Sequence, residues 1–155
     1  MTGIVEEILI CKAAGDDLYA VERAELVPGK GIIGDRYYHK VGYFSEKLEE
    51  KGDFEVTLIE KEEIQFYNKS SNLDLKPNLF RRNIITSGIR LNELIGKKFY
   101  IGETILEGIR LCEPCIYLEK LIGKEIIKSM THKSGIRAII KKEGTIEIGN
   151  KIEVS

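Results

Sequence analysis

A mainly β fold, either a β-barrel-like domain with a few short helices or an α+β arrangement, is what this sequence predicts, and three observations predict it. Short segments of alternating apolar and polar residues recur along the chain, glycine-centred turns separate them, and no regular succession of strand and long helix is present. Fifteen glycines against three prolines and no tryptophan supply the tight turns. The 155 residues match the commonest size of one compact domain, so a single domain over 1–155 is expected. Charge narrows the function classes. The 24 basic and 25 acidic side chains are interspersed and sum to −1, which leaves no global field for nucleic acid or an anionic membrane. No apolar run approaches the roughly 18 residues of a membrane helix, and the first residues lack the basic flank and apolar stretch of a signal peptide. A cytoplasmic protein with free thiols is expected, its three cysteines being an odd number for a disulfide scaffold.

Taken in order, Gly3 to Cys11 alternates Ile4, Ile8 and Ile10 with polar positions, and Tyr19 to Val27 is a second β-like run beyond the Ala14-Gly15-Asp16-Asp17 turn, so the two predict a hairpin. Pro28 to Arg36 is a glycine-rich loop, followed by a polar, aromatic stretch from Tyr37 to Asp53 that predicts a long surface excursion. Val56 to Ile59 is a buried-strand candidate, and Glu60 to Lys69 carries helix formers, acids in its first turn and Ile64 and Tyr67 on one face. Leu79 to Thr86 predicts a strand with a polar start. Leu91 to Ile95 is one helical turn stopped by Gly96, and Lys97 to Ile101 and Thr104 to Leu111 are strands joined at Gly102-Glu103. Ile116 to Met130 has helical spacing broken at Gly123. Ile136 to Ile140, Thr145 to Ile148 and Lys151 to Val154 are strands, the last two predicted to form a hairpin at Gly149-Asn150.

Four strings carry possible chemistry. Gly29-x-Gly31-x-x-Gly34 matches a dinucleotide fingerprint by letter, but no helix opens after Gly34, which leaves a multi-glycine turn or an anion-binding nest ending in Asp35-Arg36. Arg81-Arg82-Asn83 heads a strand; adjacent arginines there point to opposite faces, so one would face an interior or cleft and need an anion, the alternative being a partnered surface charge. Cys112-Glu113-Pro114-Cys115 brings two sulfurs within reach of each other. Zinc would need Cys11, His39 or His132 as further ligands, and their spacing matches no finger. A thioredoxin-like site conflicts with the absence of any proline after Cys115. A soft cofactor ligand or sulfur acceptor, or two ordinary strand-end cysteines, remain. His132 sits after the last helical segment, where an imidazole commonly faces terminal carbonyls, and Arg137 lies in an apolar strand, where an anion or a buried carboxylate is the expected partner.

The order of these strings resembles the MOSC domain, named for the C-terminal region of molybdenum cofactor sulfurase, and in particular its small stand-alone bacterial members. The resemblance runs through Gly34-Asp35-Arg36, Val56 to Glu60, Arg81-Arg82-Asn83-Ile84-Ile85-Thr86-x-Gly88, Leu91 to Gly102, Leu111 to Cys115 and His132-x-x-Gly135, covering about Ile4 to Val154. It implies a β-barrel-like domain that binds the molybdenum cofactor, molybdopterin, or another anionic small molecule. The family cysteine, a sulfur carrier or molybdenum ligand, corresponds to Cys115; Cys112 matches only a subset with Cys-Glu-Pro-Cys. Arg81 and Asn83 correspond to residues that relatives place near the pterin phosphate, and with Gly34, Asp35, Arg36, Arg82, His132 and Arg137 they form the expected cofactor site. Some relatives reduce N-hydroxylated substrates, which would require an electron-transfer partner; a carrier role would require a sulfur donor, with Cys112 resolving a persulfide on Cys115. A non-catalytic binding or handoff module and a metal-free thiol redox protein are the other function classes.

Overall fold

The computed structural model describes residues 2–13, 15–38, 55–114, 119–120 and 126–154. The excursion expected from Tyr37 to Asp53 and the segment from Ile116 to Gly123 lie largely outside the described residues, as do His39 and Cys115. The strands in chain order are β1 (Thr2–Ile10), β2 (Tyr19–Val21), β3 (Arg23–Val27), β4 (Gly31–Ile32), β5 (Val56–Glu60), β6 (Ile84–Ser87), β7 (Lys98–Ile101), β8 (Thr104–Leu111), β9 (Ile136–Lys142), β10 (Gly144–Glu147) and β11 (Lys151–Val154). Two helices accompany them among the described residues, α1 (Lys61–Ser71) and α2 (Ile127–Met130). Seven strands close into a barrel in the order β11-β7-β8-β9-β5-β6-β1, sealed by β1 pairing back onto β11. The closure is antiparallel except where β5 and β6 run parallel, the pair that α1 connects. A second sheet, β10-β3-β4, packs beside the barrel. The predicted mainly β, barrel-like class is the observed one.

Alternation decides where the core lies. Val56 and Leu58 of β5, Ile84 of β6 and Ile136, Ala138 and Ile140 of β9 fill the barrel interior with Val5, Leu26, Phe99, Leu106 and Ile152. The intervening Ile59, Ile85 and Leu9 point outward, and α1 covers them by laying Ile64 and Tyr67 over the wall, with Phe80 edge-on to Tyr67 at 5.9 Å between ring centroids. That second core buries Ile59 of β5, while Thr57 on the same outward face is buried against Asn83, so all five residues of the strand are buried. A strand covered on both faces loses the polar alternation that marks a half-exposed one.

Three elements depart from the sequence expectation. The run from Tyr19 to Val27 splits at Glu22, so β2 extends the barrel sheet from β1 while β3 leaves for the small sheet. Residues 145–148 and 151–154 form no hairpin: β10 pairs with β3, whereas β11 pairs with β7 and β1, and Gly149-Asn150 is the corner where the chain changes sheet. The strand expected from Leu79 begins only at Ile84, because Pro77–Phe80 is a 3-10 turn and Arg81 is left-handed at φ 60.

One glycine is fixed by space. Gly135 has φ +90, and a Cβ there would lie 1.7 Å from the Leu58 carbonyl oxygen of β5, which no side-chain adjustment relieves. Gly149 has a similar φ of +91 but nothing within 4 Å. Gly135→Ala is therefore expected to cost about 3 kcal/mol or more, and Gly149→Ala about 1 kcal/mol of conformational strain. Urea unfolding of the two variants measures the difference, and equal losses would show that the close approach to β5 is unimportant.

Candidate functional site

Among the described residues, the predicted Arg36, Arg81, Arg82, Asn83 and Arg137 lie on the outer wall of the barrel, where β5 and β9 pair and the chain enters β6. Thr57 of β5 lies opposite Arg137 of β9. Both fall between inward-facing neighbours, so their side chains share the outward face. Tyr37 covers this patch: its ring centroid lies 5.6 Å from the Arg137 guanidinium carbon and 4.5 Å from that of Arg36. All four arginines of the predicted site, Arg36, Arg81, Arg82 and Arg137, are buried.

Each arginine is held differently. Arg36 reaches the Asp35 carboxylate through Nη1 at 3.2 Å and the Arg81 carbonyl through Nη2 at 3.1 Å. Burial works against its charge, but Tyr37, Asp35 and Cys11 outweigh burial and hold the guanidinium above its ordinary value. Arg81 donates from Nη1 to the Asp16 carbonyl at 2.6 Å and from Nη2 to Cys11 Sγ at 3.8 Å. Arg82 donates from Nε to the Ser134 carbonyl at 2.9 Å, from Nη1 to the Phe80 carbonyl at 3.2 Å and from Nη2 to the Cys112 carbonyl at 2.9 Å. Asn83 accepts from the Thr57 amide and hydroxyl through Oδ1, both at 3.1 Å, and donates to the Leu9 carbonyl at 3.1 Å. The two arginines do diverge, but the left-handed turn at Arg81, rather than a strand pleat, separates them.

Of the two readings left for the glycine-rich loop, its first part takes the structural one. The Gly29 amide donates to Glu55 Oε1 at 3.0 Å, and residues 27 to 31 form the turn between β3 and β4, so this part of the loop is a structural turn facing the chain's own carboxylate. Gly34 has φ +92, which lets the chain turn so that Asp35 points inward. Asp35 is fully buried and accepts from the Cys11 amide at 3.2 Å and the Tyr37 amide at 3.4 Å besides Arg36. Its effect on any ligand therefore passes through the orientation of Arg36.

Cys11 stands closer to the arginines than the sequence suggested. Its buried Sγ lies 3.6 Å from Arg36 Nη1 as well as 3.8 Å from Arg81 Nη2, and it donates to the Ala13 carbonyl. Tyr37, Thr57 and Ser134 are likewise site neighbours that no local pattern marks; their contacts with Arg137, Asn83 and Arg82 cross long sequence separations. The Cys112 thiol is free and buried, and its amide donates to the Gly135 carbonyl at 2.8 Å. His132 does not face terminal carbonyls: its Nδ1 lies 2.7 Å from Glu113 Oε2, because φ 63 turns the chain out of α2. A small recess of about 50 Å³ beside Arg81, lined also by Gly15, Asp17, Leu18, Asn78 and Leu79, has room for a few waters or a phosphate-sized group. No cluster of three metal-ligating side chains exists among the described residues, and no described helix is long and apolar enough to cross a membrane.

The donor set fits an anionic ligand. Among the described residues, Arg36 has the Asp35 carboxylate, whereas Arg81 and Arg82 bond carbonyls, which satisfy hydrogen bonds without cancelling charge. Fold and site together define a small closed-barrel protein with a buried cationic cluster on its outer wall.

The MOSC domain model matches residues 33–153, and the chain belongs to the MOSC domain family, which is associated with the molybdenum cofactor. Among solved structures it is similar to YuaD from Bacillus subtilis, with a TM-score of 0.83 at 19% identity over 99% of this chain and 96% of that one. It is also similar to YiiM from Geobacillus stearothermophilus, with a TM-score of 0.75 at 14% identity over 99% of this chain and 75% of that one. YiiM from Escherichia coli gives a TM-score of 0.71 at 18% identity over 100% of this chain and 70% of that one. At these identities the likenesses establish the fold. No curated protein matches the sequence.

Two measurements test the site's construction. Arg82→Lys keeps the charge but cannot span three carbonyls, so urea unfolding is expected to show a loss of about 2 to 4 kcal/mol, and a loss below about 1 kcal/mol would assign the fork little weight. The second concerns buried carboxyls. Burial raises the Glu55 carboxyl above its usual value against the amides of Ile140 and Gly29 and the charge of Lys141, and burial likewise raises Glu60. Because the folded-state values exceed the unfolded ones, the protonated forms favour the fold. This contribution is fully present below the ordinary carboxylate range and is lost as pH rises through the raised values. The Glu55→Gln, Glu60→Gln double variant should therefore gain stability relative to wild type at pH 7, and the difference between the two should shrink on acidification; a difference independent of pH would contradict this.

Proposed function

We propose that this chain is a single-domain cytoplasmic molybdopterin-binding protein that reduces N-hydroxylated compounds. The observation that carries the reading is the buried guanidinium surplus on the outer wall, in a family associated with this cofactor. Arg36, Arg81 and Arg137 would line the pocket and receive the anionic groups, while Asn83 fixes the wall behind them by joining β1 to β5. The recess beside Arg81 matches the cofactor's terminal phosphate in scale. Gly34 and Asp35 orient Arg36, and Arg82 holds the Cys112 carbonyl and thereby the start of the cysteine loop. Cys115, outside the described residues, is assigned by its place in Cys-Glu-Pro-Cys as the thiolate ligand of molybdenum. The bound cofactor supplies the two-electron chemistry, and the electrons come from an electron-transfer protein.

A second reading makes the chain a sulfur carrier. Cys112, three residues before Cys115, supports it: a buried free thiol at that spacing can resolve a persulfide by exchange. A sulfur donor would then be the partner.

Anaerobically purified protein reconstituted with molybdopterin separates these readings. The wild type is expected to retain molybdenum and to reduce amidoximes, N-hydroxylated purines or hydroxylamine, and Cys115→Ser to lose both properties. Retention of cofactor without turnover, together with a trappable persulfide on Cys115, would establish the carrier reading. Failure to bind pterin or molybdenum would overturn both.

A further inference from the structure

We propose that Arg110 and Arg137 form an oxyanion site on the outer wall of the barrel that takes the phosphate group of a ligand other than the molybdenum cofactor. A β-bulge brings the two residues together. Strands β8 and β9 pair with Gly108 opposite Ala138 and Arg110 opposite Arg137, so Ile109 is an extra residue on β8. Its effect is on phase. Leu106 fills the barrel interior and Leu111, five positions on, packs against the same core. Unbroken alternation would send residues an odd number apart to opposite faces. Without the bulge, Arg110 would follow Leu106 into the apolar interior. With it, Arg110 turns outward beside Arg137, whose neighbours Ile136 and Ala138 point in.

The outward row across three strands is Thr57 of β5, Arg137 of β9 and Arg110 of β8. Two arginines directly opposite each other repel, which weakens a ladder pair. Elsewhere the same two strands bring opposite charges together, with Lys141 Nζ 3.8 Å from Glu107 Oε1. A dianion set between Arg110 and Arg137 turns the repulsion into two attractions. Directly opposite residues have Cβ atoms about 5 Å apart, so both planar forks reach one tetrahedral group. Both arginines have other contacts as well, and five N–H donors on each guanidinium let a ligand join those contacts. The Tyr37 ring, 5.6 Å away at its centroid, holds the Arg137 guanidinium, whereas Arg110 is half-buried, so one fork is fixed and the other opens to solvent. Charge selects the ligand class: a phosphate monoester dianion balances two guanidiniums, and a single carboxylate does not. Position separates this group from the cofactor's terminal phosphate, assigned to the recess beside Arg81. Strands β9 and β5 stand between β8 and the entry to β6, so the two anion positions are three strand spacings apart, about 14 Å along the wall. Arg137 borders both.

The test titrates inorganic phosphate into the full chain, free of cofactor and labelled with ¹⁵N-arginine, with acetate for comparison. The Arg110 and Arg137 Nε resonances, assigned through Arg110→Gln and Arg137→Lys, are expected to shift along one saturation curve, with acetate about tenfold weaker or more. Arg110→Gln is expected to weaken the phosphate response at Arg137 about tenfold, and Arg110→Lys, which keeps the charge but not the fork, by less. An Arg110 resonance that phosphate does not move overturns the site, whichever variants fold. So does an unchanged response at Arg137 in Arg110→Gln, or acetate binding as tightly as phosphate. In molybdopterin-loaded protein, phosphate is still expected to shift the Arg110 resonance; loss of that shift on loading assigns the pair to the cofactor and overturns the separate ligand. Protein that takes up no cofactor overturns the molybdopterin reading instead, and the cofactor-free titration still decides the site.

Discussion

The left-handed turn at Arg81 is the constraint on which the site depends. In an extended strand, Arg81, Arg82 and Asn83 would alternate between two faces, and at least one guanidinium would enter the apolar barrel. With φ 60 at Arg81, the three side chains instead fan along the outer wall: Arg81 toward Cys11 and Asp16, Arg82 toward Ser134 and Cys112, and Asn83 into the seam between Leu9 and Thr57. The strain at Arg81 is about 1 to 2 kcal/mol. Each hydrogen bond from a charged donor contributes about 1.5 to 3 kcal/mol, so the three bonds of Arg82 alone outweigh it.

From this turn the rest of the wall follows. Asn83 joins β1 to β5, whose outward Thr57 sits opposite Arg137, and Arg82 draws the cysteine loop against the turn before β9. The same turn before β9 contains Gly135, pressed so closely on Leu58 that a methyl group has no place. Arginine fork and close backbone packing thus fix one distance from two sides. Functional segments 11, 36–37, 81–83 and 112–113 come from distant parts of the chain, but each is anchored within a residue or two of a barrel strand or of the glycine turn, which is how a barrel preorganises loops.

Legibility in the sequence followed the range of the forces involved. Strands such as Lys98–Ile101 and Thr104–Leu111 announced themselves because alternation and the Gly102-Glu103 turn are local, and α1 was visible in the spacing of Ile64 and Tyr67. The polar start before β6 is legible, but its conformation is not, since nothing local demands φ > 0 at Arg81; the three carbonyls that Arg82 reaches, up to 52 residues away, do. The Gly149-Asn150 corner misled for a similar reason. A tight turn is local information, whereas the choice to pair β10 with β3 and β11 with β1 belongs to barrel closure.

The site residues divide along the same line. Arginines in apolar surroundings were conspicuous by composition, because a buried charge needs an explanation in any fold. Their partners are not conspicuous: Cys11 and Ser134 are unremarkable letters until the chain folds over separations of 25 to 70 residues, and so is Tyr37 until its ring meets Arg137. His132 shows the limit of local rules most clearly. Its position after a helix favours terminal carbonyls, yet a two-oxygen carboxylate 19 residues away takes both its ring and its amide. A charged acceptor that satisfies two donors at once outcompetes a helix end whose dipole acts only within its last turn, and α2 is a single turn long.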